Sequence, residues 1–289
     1  MHGDLFSAIN VNLFARSINS GRTGSVPQSA TTDRSVDGFN LSSSYGMVNA
    51  IMSLAVPKHA STVILVRPCD DGRFEILMTR RPEWMAFLGG FYVFPGGILE
   101  EQDFSLEIFN RCRGLGPQAA QEILRNEPSA ELALGHWVAA IRELFEECGV
   151  LFGVTESGEP LDMRQDGRKQ KLEEMRGELV RGTRSLKSIL QSEGLYCDAS
   201  RLIYFMHRIT PEDSPMRFDT RFYLACLPSN QSSLAESEEV SRAIWVTPGE
   251  ALERCASGEM PMIRPTRIVL QSLEAFNSWE SLCRHYPVR

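Results

Sequence analysis

The sequence predicts an α/β fold in which a mixed β-sheet lies between layers of helices. Short β-branched or apolar runs of strand length are interspersed with amphipathic stretches of helical period. The runs do not follow the strict strand-helix-strand alternation that produces an all-parallel sheet. A chain of 289 residues with 43% hydrophobic residues can bury a sizeable core. We therefore expect one domain at 56–285, preceded by an arm at 1–55.

The arm is predicted to be flexible. Its segment 17–46 is dense in Ser, Gly, Thr and Asn and has few large apolar groups, so it cannot offset its ordering entropy. The first 32 residues contain one acid, Asp4, against Arg16 and Arg22. That composition is shared by organelle transit peptides and by ordinary disordered N-termini.

The first strands form a predicted hairpin. Thr62–Arg67 and Phe74–Thr79 are β-branched or apolar runs on either side of the turn Asp70-Asp71-Gly72. Phe91–Phe94 is a third short strand, which Pro95-Gly96-Gly97 ends.

The helices are predicted from periodicity and from capping residues. Phe104–Arg113 and Gln118–Glu127 have helical patterns, and Ser129 is the expected N-cap of a helix that runs to Cys148, with Gly149 as its C-terminal cap. The remaining predicted elements are a polar helical stretch at 168–191, strands at 202–208, 221–227 and 243–246, and helices from Pro248 and from Pro265.

Charge and cysteine content exclude several classes of protein. A net charge of −7 argues against a general nucleic-acid binder, because phosphate backbones are bound through clustered Lys and Arg. Seven cysteines without a C-x-x-C pair favour reduced thiols in an intracellular protein, most simply cytoplasmic, with a mitochondrial or peroxisomal location also open. No apolar run approaches the ~18 residues that span a membrane. His136, beside Trp137, is expected to be an ordinary helix residue. The expected partner is a small molecule, and the oligomeric state stays undetermined.

The stretch RELFEECGV, 142–150, is the most informative in the chain. In a helix with 100° per residue, the apolar side chains lie on one face, and they are Ile141, Leu144, Phe145 and Cys148. The acids Glu143, Glu146 and Glu147 lie on the opposite face.

The three acids have two interpretations. On an exposed helix they are a solvated face, where like charges cost only about 0.2–0.5 kcal/mol per pair. In a cleft, two carboxylates about 5 Å apart repel by roughly 3 kcal/mol, and a divalent cation would turn that cost into binding. Oxygen ligands of this kind suit Mg²⁺ or Mn²⁺.

These segments together resemble the Nudix hydrolases, whose signature is G-x5-E-x7-R-E-U-x-E-E-x-G-U, where U is a bulky aliphatic residue. Residues 142–150 match the second arm at every specified position. The first arm begins at Gly97 and has Asp103 in place of the glutamate, and 38 residues rather than 7 separate Asp103 from Arg142. Such a split motif resembles the branch related to the peroxisomal coenzyme A diphosphatase. The resemblance implies a Nudix-type α/β/α sandwich with a helical insertion at about 104–134.

An upstream stretch resembles the signature L-L-T-x-R-S-x3-R-x3-G-x-V-x-F-P-G-G of Nudix enzymes that cleave coenzyme A. Leu77–Arg81, Gly90 and 94–97 fit it in register, with Met78 as a mild change, whereas Pro82, Ala86 and Tyr92 depart from it. The resemblance implies hydrolysis of coenzyme A or acyl-coenzyme A to 3′,5′-ADP and (acyl-)phosphopantetheine. Another nucleoside diphosphate derivative, such as ADP-ribose or a dinucleotide, and a non-catalytic nucleotide-sensing module stay open as alternatives.

The resemblance also implies a role for individual residues. The expected ligands of Mg²⁺ or Mn²⁺ are Glu143, Glu146, Glu147 and the Gly96 carbonyl. The expected catalytic residues are Glu143, Arg142 and an acid from a later loop, for which we choose Glu239 with Glu238 as the alternate. The expected substrate-binding residues are Arg80, Arg81 and Phe94, although Arg80 is equally well interpreted as a solvated charge at the end of a strand.

Overall fold

The computed structural model describes residues 55–286, except 126, 128 and 166. Nearly all of the predicted arm, residues 1–54, lies outside this range. Among the described residues, no helix combines the length and the apolar character that crossing a bilayer requires.

Ten strands and eight α-helices make up the described part of the chain. In chain order they are β1 (Lys58–Pro68), β2 (Phe74–Arg80), β3 (Tyr92–Val93), β4 (Gly96–Ile98), α1 (Leu106–Phe109), β5 (Cys112–Arg113), α2 (Pro117–Leu124), α3 (Ala130–Cys148), β6 (Gly153–Thr155), α4 (Arg168–Val180), α5 (Leu186–Ser192), β7 (Leu195–Asp198), β8 (Ile203–Ile209), β9 (Phe218–Cys226), β10 (Arg242–Val246), α6 (Pro248–Ala256), α7 (Arg264–Glu274) and α8 (Trp279–His285).

The main sheet has the strand order β10-β2-β1-β9-β8, with β3 paired to β2 and β4 paired to β1. β1 and β9 are parallel and the other pairs are antiparallel, so the sheet is mixed, as predicted. α3 covers one face through one hydrophobic cluster, and α6, α7 and α8 cover the other face through a second cluster. The predicted α/β/α sandwich is therefore confirmed.

The predicted hairpin is also confirmed. β1 and β2 pair antiparallel in the register Val66↔Ile76, and Gly72 in the connecting turn has φ +84°. Positive φ is a conformation that glycine adopts without steric cost. The centre of β1 is buried on both faces, which explains why its sequence is a continuous apolar run instead of an alternating one.

The insertion differs from its prediction. Before α3 begins, its α-helices are α1 and α2, and the predicted helix 104–113 is wrong at its end, because α1 ends at Phe109 and Cys112–Arg113 forms β5, which pairs in parallel with β7. β5, β7 and β6 make a separate three-stranded sheet. The polar stretch 168–191 is likewise two helices, α4 and α5, separated around Gly182 with φ +71°.

α3 begins and ends where its capping residues predicted. The Ser129 hydroxyl accepts a hydrogen bond from the Leu132 backbone at 3.0 Å. Gly149 has φ +71° and donates its backbone N–H to the Phe145 carbonyl, which closes the helix in the left-handed conformation that glycine favours. The acids at 143, 146 and 147 therefore lie in the last two turns of a 19-residue helix.

Candidate active site

The three acids of α3, Glu143, Glu146 and Glu147, form the centre of the candidate site and are called the acid cluster below. Glu143 and Glu147 are only 8% and 6% exposed, and Glu146 is half-buried. The apolar stripe on the other face of the helix is fully buried as well. The interpretation of these acids as a solvated face is therefore wrong, because the surrounding fold covers both faces of the helix end.

Burial and mutual repulsion perturb all three carboxyl groups. Desolvation raises the pKa of Glu143 to about 8, Glu146 and Glu239 add repulsion, and Arg142 opposes the shift. Desolvation also raises the pKa of Glu147 well above its ordinary value, with Glu143 and Glu239 adding to it. The pKa of Glu146 is raised by its burial and by Glu100 and Glu239, against Arg142. The protein itself thus supplies too little positive charge to keep all three groups ionised at neutral pH.

The two arms of the split motif meet at Arg142. Its Nε and Nη2 donate to the two carboxylate oxygens of Asp103, each at 2.9 Å, in a bidentate pair that is almost completely buried. Nη1 donates to Glu143 Oε1 at 2.8 Å, and Nη2 also reaches the Ile98 carbonyl at 2.9 Å. Asp103 therefore holds Arg142, and Arg142 orients Glu143, although the insertion separates the two arms in sequence.

The Gly-rich turn approaches the acid cluster so closely that side chains are excluded. β4 pairs with β1 in the register Gly97↔Ser61. A Cβ added to Gly97 would lie 2.4 Å from Glu143 Oε1, and one added to Gly96 would lie 2.3 Å from the Ser61 carbonyl oxygen. The backbone of Gly96 also forms a hydrogen bond with Glu147, which lowers the pKa of that carboxyl group and so partly offsets its burial.

The loop before β10 brings a fourth and a fifth acid to the cluster. The charge of Glu239 raises the pKa of all three members of the cluster, which places it beside them. Glu238 and Glu239 line a small cavity together with Glu146, Glu147 and Arg176. The structure thus brings both loop candidates to the predicted place, and the role of each stays a prediction.

The predicted substrate-binding residues have different surroundings. Arg81 is buried, donates from Nε to the Phe87 carbonyl at 3.1 Å, and its charge lowers the pKa of Glu147. Arg80 is paired with Glu83 and donates to the Gly90 carbonyl at 3.2 Å, so its guanidinium binds groups near the end of β2. Phe94 is 5% exposed and packs in the second hydrophobic cluster, which makes it a core residue and leaves little of its ring for a ligand.

Two further residues at the site were not predicted. Glu100 lies close enough to Glu146 to raise its pKa, and Arg176 of α4 donates from Nη1 to the Glu146 carbonyl at 2.7 Å. The sequence gives a weak indication that Glu100 belongs to the site, since it lies inside the first arm of the motif. It gives no such indication for Arg176, because the polar pattern of α4 does not show which helix α4 packs against.

A mixed sheet between helical layers, with a glycine turn above a glutamate-bearing helix end, is the architecture of a Nudix domain. The chain belongs to the NUDT19 Nudix domain family, whose model matches residues 50–271. The prediction of the branch with the interrupted motif is thereby confirmed.

Individual relatives agree with this assignment. The chain is 28% identical over 206 residues to the acyl-coenzyme A diphosphatase NUDT19 of Xenopus laevis, covering 62% of this chain and 54% of that protein. It is 29% identical over 249 residues to the protein of the same name from Gallus gallus, covering 74% and 64%. The crystal structure of a NUDIX hydrolase from Alicyclobacillus acidocaldarius aligns with a TM-score of 0.65 and 27% identity, covering 81% of this chain and 98% of that one. The matched region thus spans between about half and two thirds of these two curated relatives.

Proposed function

We propose that the protein is a divalent-metal-dependent hydrolase that cleaves the pyrophosphate linkage of coenzyme A or acyl-coenzyme A. The products would be 3′,5′-ADP and (acyl-)phosphopantetheine. The observation that carries the proposal is the acid cluster, in which three largely buried carboxyl groups lie together and only Glu143 and Glu146 pair with Arg142. The name acyl-coenzyme A diphosphatase of two relatives supports the substrate class.

The residues present fit a hard divalent cation. Nudix hydrolases generally use divalent metals. Glu143, Glu146, Glu147 and the Gly96 carbonyl would hold Mg²⁺ or Mn²⁺, because all of them offer oxygen atoms. The raised pKa values support this assignment, since carboxyl groups that lack a counter-charge gain most from a cation. When bound, such an ion neutralises charge on the pyrophosphate and makes a water molecule a better nucleophile.

The protein's own side chains would orient the site and move a proton. Arg142, held by Asp103, would fix the orientation of Glu143 through the hydrogen bond to its Oε1. Arg81, beside Glu147, offers positive charge for a phosphate oxygen. Glu239 would accept the proton of the attacking water, because it lies beside the acid cluster on the loop before β10 and lines a cavity with Glu146 and Glu147.

The alternatives are another nucleoside diphosphate derivative and a non-catalytic nucleotide-sensing module. The departures from the coenzyme A signature at Pro82, Ala86 and Tyr92 keep the first alternative open. The module is less well supported, because a domain without catalysis has no physical need to bury mutually repelling acids.

A substrate panel tests the proposal. Purified full-length protein is incubated with Mg²⁺ or Mn²⁺ and with coenzyme A, an acyl-coenzyme A, ADP-ribose or a dinucleotide, and the products are identified by mass. We expect 3′,5′-ADP from the first two substrates. Cleavage of only ADP-ribose or only the dinucleotide would show that coenzyme A is not the substrate and that another nucleoside diphosphate derivative is. Nucleotide binding without turnover of any substrate would favour the sensing module.

A further inference from the structure

A second buried polar cluster lies at the other end of α3. His59 of β1, Glu127 from the end of the insertion and His136 of α3 converge there, and we call them the histidine cluster. His136 is fully buried, Glu127 is 5% exposed and His59 is half-buried. One ligand-capable atom from each residue lies within 4.8 Å of the others. Three separate elements thus direct nitrogen or oxygen atoms to one place.

The converging atoms lack close hydrogen-bond partners. Within the described part of the chain, Nδ1 of His59 and Oε2 of Glu127 are buried without a hydrogen-bond partner, and Nε2 of His136 has only a long contact of 3.4 Å with Glu127 Oε1. A buried polar atom without a partner costs about 1–3 kcal/mol, and folded proteins contain few of them. Such atoms in one cluster indicate that something not supplied by the side chains satisfies them together.

Neighbouring residues prepare the imidazole of His136 as a ligand. Its Nδ1 lies 3.0 Å from the Ser61 hydroxyl, and its Nε2 lies 3.4 Å from Glu127 Oε1. A hydrogen bond from Nδ1–H to the Ser61 oxygen would leave the lone pair of Nε2 directed into the cluster, which is how metal-bound histidines are usually oriented.

One carboxylate oxygen of Glu127 is paired and the other has no hydrogen-bond partner. Arg221 contacts Oε1 and leaves Oε2 unsatisfied. Because Arg221 also contacts Asp219, its positive charge is shared between two carboxylates.

We propose that His59, Glu127 and His136 bind one Zn²⁺ or a similar late first-row divalent ion, at a site separate from the acid cluster. Two imidazole nitrogens and one carboxylate oxygen are a donor set that suits Zn²⁺ and does not suit Mg²⁺. Ligands at zinc bond lengths in a tetrahedron stand about 3.4 Å apart. The three ligand atoms, which lie within 4.8 Å of one another, would move closer together on binding the ion.

A metal ion at the histidine cluster would stabilise the fold and would not take part in cleavage of the pyrophosphate. Glu127 belongs to the insertion, β1 carries the strand partner of Gly97, and His136 lies two helical turns before Glu143. An ion on the three would therefore tie the insertion to the two elements that position the acid cluster. It would leave the Mg²⁺ or Mn²⁺ requirement of that cluster unchanged.

The test is a metal titration of the full-length protein after removal of bound metal. Zn²⁺ is followed by mass spectrometry of metal content and by the Tm, and Co²⁺ by its visible absorption. We expect one equivalent of Zn²⁺ and, at about 100 times the Kd, a rise in Tm of about 5 °C or more. Co²⁺ should show the intense visible bands of a four-coordinate site with nitrogen and oxygen ligands.

Substitutions test which residues bind the ion. His59→Gln and Glu127→Gln should lose the bound equivalent of Zn²⁺ and the rise in Tm. Two control variants should keep both, namely His285→Gln on α8 and Glu147→Gln in the acid cluster. His59 is only half-buried, so its variant tests the site even where Glu127→Gln fails to fold, and circular dichroism checks each protein. No uptake by the wild type, uptake unchanged in His59→Gln, or a cobalt–thiolate absorption band would overturn the proposal.

Discussion

Two buried polar clusters lie along α3, and the pKa values of their acids are shifted in opposite directions. Near the N-terminal end, His136 and Arg221 offset the burial of Glu127, and the pKa of Glu127 falls below its ordinary value. At the C-terminal end, Glu143 and Glu146 share Arg142, which Asp103 already holds in a bidentate pair, and burial raises the pKa of Glu143 to about 8. Burial alone therefore does not determine the protonation state of a carboxyl group. The negative charge that the protein leaves without a cationic partner determines which ion the group can bind.

The largest expected effect is on turnover. Glu147→Gln keeps the shape of the side chain but removes one ligand charge, so we expect a loss of about 10³-fold in kcat. The same change relieves repulsion and should not lower the Tm of the metal-free protein. Glu131→Gln, in the exposed first turn of α3, is the matched control and should keep full activity. Equal activity of the two variants would show that the acid cluster does not take part in catalysis.

The next effect is on stability. Asp103→Asn leaves the buried guanidinium of Arg142 with a weaker partner, and breaking a buried ion pair costs about 3 kcal/mol or more. The control is Asp162→Asn, because Asp162 pairs with Arg164 at the surface, where such a pair contributes about 0–1 kcal/mol. Chemical denaturation measures both. Similar losses in the two variants would show that the split motif does not depend on the Asp103–Arg142 pair.

A smaller effect is expected in the loop before β10. Glu239→Gln should lower kcat about 10- to 100-fold, since general-base catalysis contributes on the order of 10²-fold or more and water can partly replace it. Glu238→Gln, at the neighbouring position on the same cavity, should lower kcat less. A larger loss in the Glu238 variant would transfer the role to that residue.

The smallest effect concerns pH and metal together. The folded-state pKa of Glu143 is raised from 4.5 to about 8, so its contribution to folding is most favourable below pH 4.5 and is lost as pH rises through about 8. A cation that replaces the proton should therefore raise the Tm more at about pH 8.5 than at about pH 6. Thermal unfolding with and without Mg²⁺ measures this, and Glu143→Gln should flatten the difference. Equal Mg²⁺-dependent shifts at both pH values would contradict the assignment.

Local signals in the sequence predicted the elements that carry the site. Ser129 and Gly149 mark the ends of α3, and the turn Asp70-Asp71-Gly72 marks the hairpin, because caps and turns depend on a few neighbouring residues. The register of the first arm correctly selected Asp103, although the insertion hides its partner.

Features that depend on distant partners could not be predicted. β5 has two residues and exists only because β7 lies beside it. Glu127 follows an ordinary helical pattern, and its partner Arg221 is 94 positions away. The acids at 143 and 147 have the spacing of a polar face, and only the folded chain shows that the glycine turn and the loop before β10 cover them.

The split motif also has a consequence for the order of folding. Asp103 and Arg142 are 39 positions apart, Ser61 and His136 are 75 apart, and β1 pairs in parallel with the distant β9. Local helices and hairpins form before contacts that close such long loops. A nascent chain that has emerged as far as Val150 therefore carries the complete signature, but neither β9 nor Glu239 has been synthesised. Until they are, the acids lack the loop before β10 that covers them in the folded chain.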